Sequence, residues 1–204
     1  MPMNKSRAKE FLGASVLVLL CVVARLLPHW PNFTPVAACA LLAGCVFRSR
    51  VIALLVPLVG MGISDLFIGG YEWKIMAVVY ASLAFPLVLR NFVRDGRAIV
   101  LVPLASLLSS AVFFLATNFA VWSFGGWYSA DWGGLLRCYA AAIPFLRYTV
   151  MGDLVWSGAL FAGLATCRLL RDHRMLASVP SQAAGQFANS LALRTLLPTT
   201  RHRI

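Results

Sequence analysis

Charge is scarce in this chain: 12% of its 204 residues are Asp, Glu, Lys or Arg, and only seven are acidic. Histidine is scarcer still, at three, and no HxxxH, HxH or paired-carboxylate spacing arranges acids and imidazoles into a ligand set. Metal binding by His29 with Asp65, Glu72, Asp131 or Asp153 therefore has no spacing to support it. There is no P-loop or Gly-Lys pair to bind a nucleotide phosphate, and no GxSxG or HExxH to organise an acyl-transfer or zinc site. The five cysteines form no CxxC and stand mostly within apolar runs, which suits thiols packed as small hydrophobic groups. Glycine- and serine-rich linkers are lacking too, so nothing divides the apolar part into separate domains.

What is present is apolar surface. Hydrophobic residues make up 60% of the chain and its mean hydropathy is +0.80. A soluble domain of this size has no interior that could hide so much, so the bilayer has to serve as solvent. A spanning helix needs about 20 apolar residues, and six stretches qualify in outline: 10–27, 34–47, 51–69, 74–90, 98–122 and 148–170. The second is short and begins at Pro35, which places it in the interface or under cover of its neighbours. The fifth is long enough to tilt. The expectation is an all-α integral membrane bundle over residues 1–176, with an Arg-rich cytoplasmic tail over 177–204 and LLRCYAAAIPF as a short helix lying at the interface before the sixth span.

Orientation follows from charge. With both termini inside, the cytoplasmic pieces hold fourteen basic residues against three acidic, the whole net charge of +11, while the outer pieces hold four against four. The positive-inside rule requires this of an N-in, C-in protein. The basic excess then reads as topology and contact with anionic lipid, not as nucleic-acid binding. Residues 1–24 have the outline of a secretory signal, and LLAGC ending at Cys45 resembles a lipoprotein processing box. Removing the first would break the charge pattern, and the second sits behind a complete span and before the basic FRSR loop.

The polar residues that remain gather towards the outer side. RLLPHWPNFTPV, residues 25–36, places Arg25, His29 and Asn32 with Trp30 and Phe33 among three prolines, which impose a non-helical connection. Asp65 lies about a turn inside the outer end of the third span and needs a cation; Arg25 is the natural partner and Arg147 the second. Asp153, near the start of the sixth span, raises the same question, with Arg147 six residues earlier. On the fifth span Ser110, Phe113, Phe114, Thr117, Asn118 and Val121 recur at helical spacing along one face. That face is either helix–helix glue or the wall of a pocket.

Four blocks, RLLPHWPNFTPVAACALLAGCVF, PLVGMGISDLFIGGY, SSAVFFLATNFAVW and CYAAAIPFLRYTVMGD, resemble in order and spacing a bacterial family of membrane transport proteins without an assigned substrate. That family in turn resembles the substrate-binding S components of energy-coupling-factor importers, with six helices and a ligand held near the outer surface. By position the resemblance implies roles for Arg25, Pro28, Asn32, Phe33, Ser64, Asp65, Thr117, Asn118, Trp122, Tyr139, Pro144 and Asp153; the Arg-rich tail departs from the pattern. The expectation is a protein of the bacterial inner membrane that binds a small water-soluble molecule, of the vitamin or heterocyclic-precursor class, for uptake. Its site comprises Arg25, His29, Asn32, Phe33, Ser64, Asp65, Phe113, Phe114, Thr117, Asn118, Trp122, Tyr139 and Asp153, with no cofactor or metal. Membrane lipids and separate energising subunits, a transmembrane protein and ATPases, are the implied partners. The alternatives are a non-catalytic membrane scaffold, favoured by the small residues Gly158, Ala159, Ala162 and Gly163, and an intramembrane enzyme using Ser64 or Asp65.

Overall fold

The apolar runs become helices because, away from water, an α-helix is the one open-ended segment that satisfies its own backbone polar groups. In a computed structural model, which describes residues 5–94 and 98–177, they form α1 (Lys5–Leu26), α2 (Val36–Val46), α3 (Arg50–Ile68), α4 (Trp73–Ala84), α5 (Arg90–Arg94), α6 (Ala98–Phe124) and α7 (Trp132–Ala177). No strand occurs among the described residues. Among the described residues four helical stretches are long and apolar enough to cross a membrane: Arg50–Ile68, Trp73–Val93, Val100–Phe124 and Trp132–Arg174. Helix α1 has the length, at 22 residues, but carries Lys5, Arg7, Lys9 and Glu10 in its opening turns and Arg25 at its end.

Helix α2 has 11 residues, or about 16 Å at 1.5 Å per residue, half of the hydrocarbon thickness. Eight of the 11 are buried, so its neighbours cover it on nearly all sides. Its Leu41 joins Leu89, Val93, Val102 and Ala105 in the core, with Phe161 packed against them.

Local chemistry sets the ends. The Ile52 amide donates to the Ser49 hydroxyl at 3.3 Å and starts α3. At the other end of α3, Gly69 has φ of 99°, a left-handed value open to glycine. The Glu72 carboxylate accepts from the amides of Lys74 and Ile75, at 2.8 and 3.0 Å, and starts α4. Pro86 lacks the N–H a continuing helix needs, and the course through Trp73–Val93 tightens there into a 3-10 turn, Phe85–Leu87.

Helix α7 corrects an expectation. LLRCYAAAIPF is not a separate interface helix: it is continuous with the following span in one helix of 46 residues that passes through Pro144. A single proline removes one backbone hydrogen bond, and the alanines before it keep the helical course. The chain divides into two compact units, one up to Phe161 and one from Ala162; among the described residues the second is the closing part of α7. The expected tail lies outside the described residues from Ser178 onward.

One close approach sets the register of α1 on α3. A Cβ built on Gly60 would lie 2.7 Å from Cβ of Cys21, which is fully buried. One turn further along each helix, Arg25 and Asp65 face one another. Gly60→Ala is therefore expected to force the two helices apart and lower stability in detergent by about 1–3 kcal/mol, read as a fall in Tm. An unchanged Tm would mean that the crossing is loose and does not set the pair's register.

Candidate functional site

Arg25 closes α1 and reaches across to α3. Its Nη2 donates to Asp65 Oδ1 at 2.9 Å, the ion pair the sequence predicts, and Nη1 contacts the sulfur of Met61. The Tyr80 hydroxyl of α4 donates to the other carboxylate oxygen at 2.9 Å. Both sides of the pair are largely withdrawn from solvent, at 15% and 8% exposure. Asp65 is thus neutralised and hydrogen-bonded on both oxygens, which a carboxylate inside an apolar bundle requires.

Arg25, backed by Asp65, borders a cavity of about 280 Å³, to which α1, α3, α4, α6, α7 and the connection after α1 all contribute. Asp153 enters it from α7. Its Oδ2 accepts from the Ser110 hydroxyl at 2.5 Å, and no cation pairs with it among the described residues. The Arg147 partner considered from sequence is not used. That guanidinium bonds instead to the hydroxyl of Tyr148 at 2.7 Å and lies 4.6 Å from the centre of its ring. Six residues along a helix is about 120° round its axis, which takes Arg147 off the face that carries Asp153.

The connection over residues 27–35 is part of the site. Asn32 adopts φ of 61°, the one positive value at a non-glycine among the described residues, and Asn is one of the few side chains that tolerate it. Trp30 meets Phe33 edge-on, with centroids 5.7 Å apart, and stacks on Tyr148 of α7 at 5.8 Å. Gly152 makes room for this: a Cβ there would lie 3.0 Å from Cα of Phe33. His29 and Asn32 are thereby held at the cavity. The His29 Nδ1 lies 2.6 Å from the Leu27 carbonyl; the carbonyl can only accept, so Nδ1 donates, and in neutral histidine Nε2 is left as an acceptor.

Of the thirteen residues selected from sequence, Arg25, His29, Asn32, Phe113 and Asp153 line the cavity. Asp65 stands behind Arg25, and Phe33 holds the loop. The other six are placed elsewhere. The Ser64 hydroxyl is turned onto the carbonyls of Gly60 and Met61, both at 2.9 Å. Thr117 and Asn118 bond to the carbonyls of Phe113 and Phe114 one turn back in α6. Phe114 meets the ring of Tyr139, whose hydroxyl donates to the Leu115 carbonyl at 2.6 Å, and Trp122 donates to Ser129. The C-terminal half of α6 thus fastens itself to the start of α7.

Sequence reasoning missed Thr34, Met61, Tyr71, Ser82, Ser109 and Thr149, which also line the cavity. Ser82, Ser109 and Thr149 are hydroxyls inside apolar helices, a signal that was open to reading. Tyr71 lies in the loop after α3; burial, then the Asp65 carboxylate, raise its phenol above the ordinary value, with Arg25 opposing. It stays a neutral donor and acceptor at the cavity edge. At the far loop Asp131 caps α7, and the Gly134 amide at 2.6 Å, followed by Ser129, holds its carboxyl below the usual range. Among the described residues no three His, Cys, Asp or Glu side chains converge as a metal-ligand set.

The chain matches the model of a family of unknown function (DUF6580) over residues 5–176 and belongs to that family. No curated protein and no solved structure matches it.

Proposed function

We propose that this member of the family is a membrane transport protein of the bacterial inner membrane that captures a small water-soluble molecule at its outer face for uptake. Six spans with both termini inside put the basic loops in the cytoplasm and the Arg25–Asp153 cavity at the outer end. One observation carries the reading: a buried carboxyl, Asp153 at 5% exposure, with a single hydroxyl partner and no cation among the described residues, faces a cavity whose one lining arginine, Arg25, is already paired with Asp65 behind it. Such a group is costly to keep in a bundle that only needs to pack. It suits a ligand that offers N–H donors or a positive nitrogen.

Phe113 and Tyr71 supply ring surface beside these polar groups, and a nitrogen heterocycle of the vitamin or vitamin-precursor class fits both. The volume lies near the lower end of the range for small-molecule sites, about 300–1,000 Å³, so the ligand is compact. We read the chain as non-enzymatic, because the Ser64 hydroxyl is engaged by its own helix and has no histidine base beside it among the described residues. Energy for uptake comes from separate subunits, in the manner of the S components it resembles. A scaffold role is the second reading, favoured by Gly158, where an added Cβ would meet only open space and a neighbouring helix would fit closely.

Thermal unfolding of the detergent-purified protein, screened against vitamins, nucleobases and amino-heterocycles, separates the two. A ligand at about 100 times its Kd is expected to raise Tm by about 5–10 °C, and whole-cell uptake of the same compound is expected to fall when the protein is absent. A panel without any shift, or a hit whose uptake does not depend on the protein, would favour the scaffold.

A further inference from the structure

At the other end of α3 lies a second cavity, of about 400 Å³, between the first turns of that helix and the end of the α4–α5 course. Its polar lining is Arg50, Arg90 and Asn91, and Leu54, Leu87 and Val88 supply apolar wall. Arg90 is the unusual member. It is 9% exposed, and its Nε and Nη1 are fully buried without a hydrogen-bond partner. The ion pairs among the described residues are Arg25–Asp65 and Arg171–Asp172, so none of the described carboxylates neutralises it. The Cys45 thiol approaches the backbone carbonyl of Arg90.

A guanidinium with two of its nitrogens withdrawn from water and unpaired is unfavourable, and an anion held beside it in the cavity would offset part of that penalty. Arginine presents N–H donors in a planar fork that matches phosphate oxygens, and Arg50 adds a second cation. The apolar wall selects among sources of phosphate. Leu54 and Val88 are 38% and 67% exposed, a surface that free phosphate would not cover and acyl chains would. We propose that this cavity binds the phosphodiester of an anionic phospholipid, with Arg90 and Arg50 on the phosphate and the chains along Leu54 and Val88. The site goes beyond the uptake reading and does not depend on it.

The test uses delipidated full-length protein in neutral detergent, with dioleoylphosphatidylglycerol, dioleoylphosphatidylcholine or sodium phosphate added separately. Phosphatidylglycerol is expected to raise Tm by about 3–6 °C. Phosphatidylcholine, whose choline competes for its own phosphate, and free phosphate are expected to do little. Arg50→Gln, at an exposed position, should fold normally and lose much of the shift. Arg90→Met should abolish the shift while holding or raising the lipid-free Tm, because it removes the unpaired charge. Equal shifts from the two lipids, a shift reproduced by phosphate alone, or an undiminished shift in Arg50→Gln would each overturn the proposal. So would a lipid-free Tm in Arg90→Met well below wild type, since Arg90 would then be satisfied within the protein itself.

Discussion

Arg25→Gln is expected to lower the unfolding free energy in detergent by about 3–5 kcal/mol, because it leaves the Asp65 carboxylate buried against one remaining donor, Tyr80. At the usual scaling for a chain of this length the fall in Tm is about 10 °C or more. Asp65→Asn should cost less than Arg25→Gln. The amide keeps an acceptor for Tyr80, and the stranded guanidinium, at 15% exposure, has more access to water than Asp65. The double variant is expected to recover part of the loss, with a coupling of about 1–3 kcal/mol. Thermal melts of the four proteins complete the cycle. Strict additivity would show that the two charges do not stabilise one another and that the cavity wall is held by something else.

Asp153→Asn is expected to behave in the opposite way. Its amide oxygen can still accept from Ser110, so folding should stay near wild type or improve, since a buried carboxyl without a cation is removed. Ligand binding should weaken by about 10- to 100-fold, equivalent to about 1.4–2.8 kcal/mol, once a compound from the thermal-shift panel is in hand. Titration of that compound into both proteins reads the change directly. Undiminished affinity would remove Asp153 from the site. A loss of stability with unchanged affinity in the folded fraction would make it a packing residue of the α6–α7 contact and favour the scaffold.

These two variants separate what could be read early from what could not. Arg25 and Asp65 were legible as partners because each lies close to the C-terminal end of its helix, and a lone carboxylate within an apolar run has to find a cation. Asp153 was legible as costly, but not its partner. Nearness in sequence pointed to Arg147, whereas rotation along α7 takes that residue off the face of Asp153 and packing against α6 supplies Ser110. Thr117 and Asn118 show a further difficulty. Helical spacing places them on one stripe with Phe113, yet a Thr or Asn in an apolar helix can satisfy itself on the carbonyl one turn back, as both do here.

The sequence by itself determined the solvent and the class of this protein: a helical chain too apolar to fold in water, with a net charge of +11 carried by few residues. Those are properties of composition and of position along the chain, and they hold however the helices turn. Only the tertiary structure decided which polar side chains meet. The Gly60–Cys21 approach sets the register that brings Arg25 onto Asp65, Gly152 lets the 27–35 connection close on α7, and Arg90 is buried beside Arg50. Helix rotation and register depend on contacts a few ångströms wide between segments distant in sequence, and a shift of one residue, about 100° of rotation, would turn each of these groups to a different neighbour.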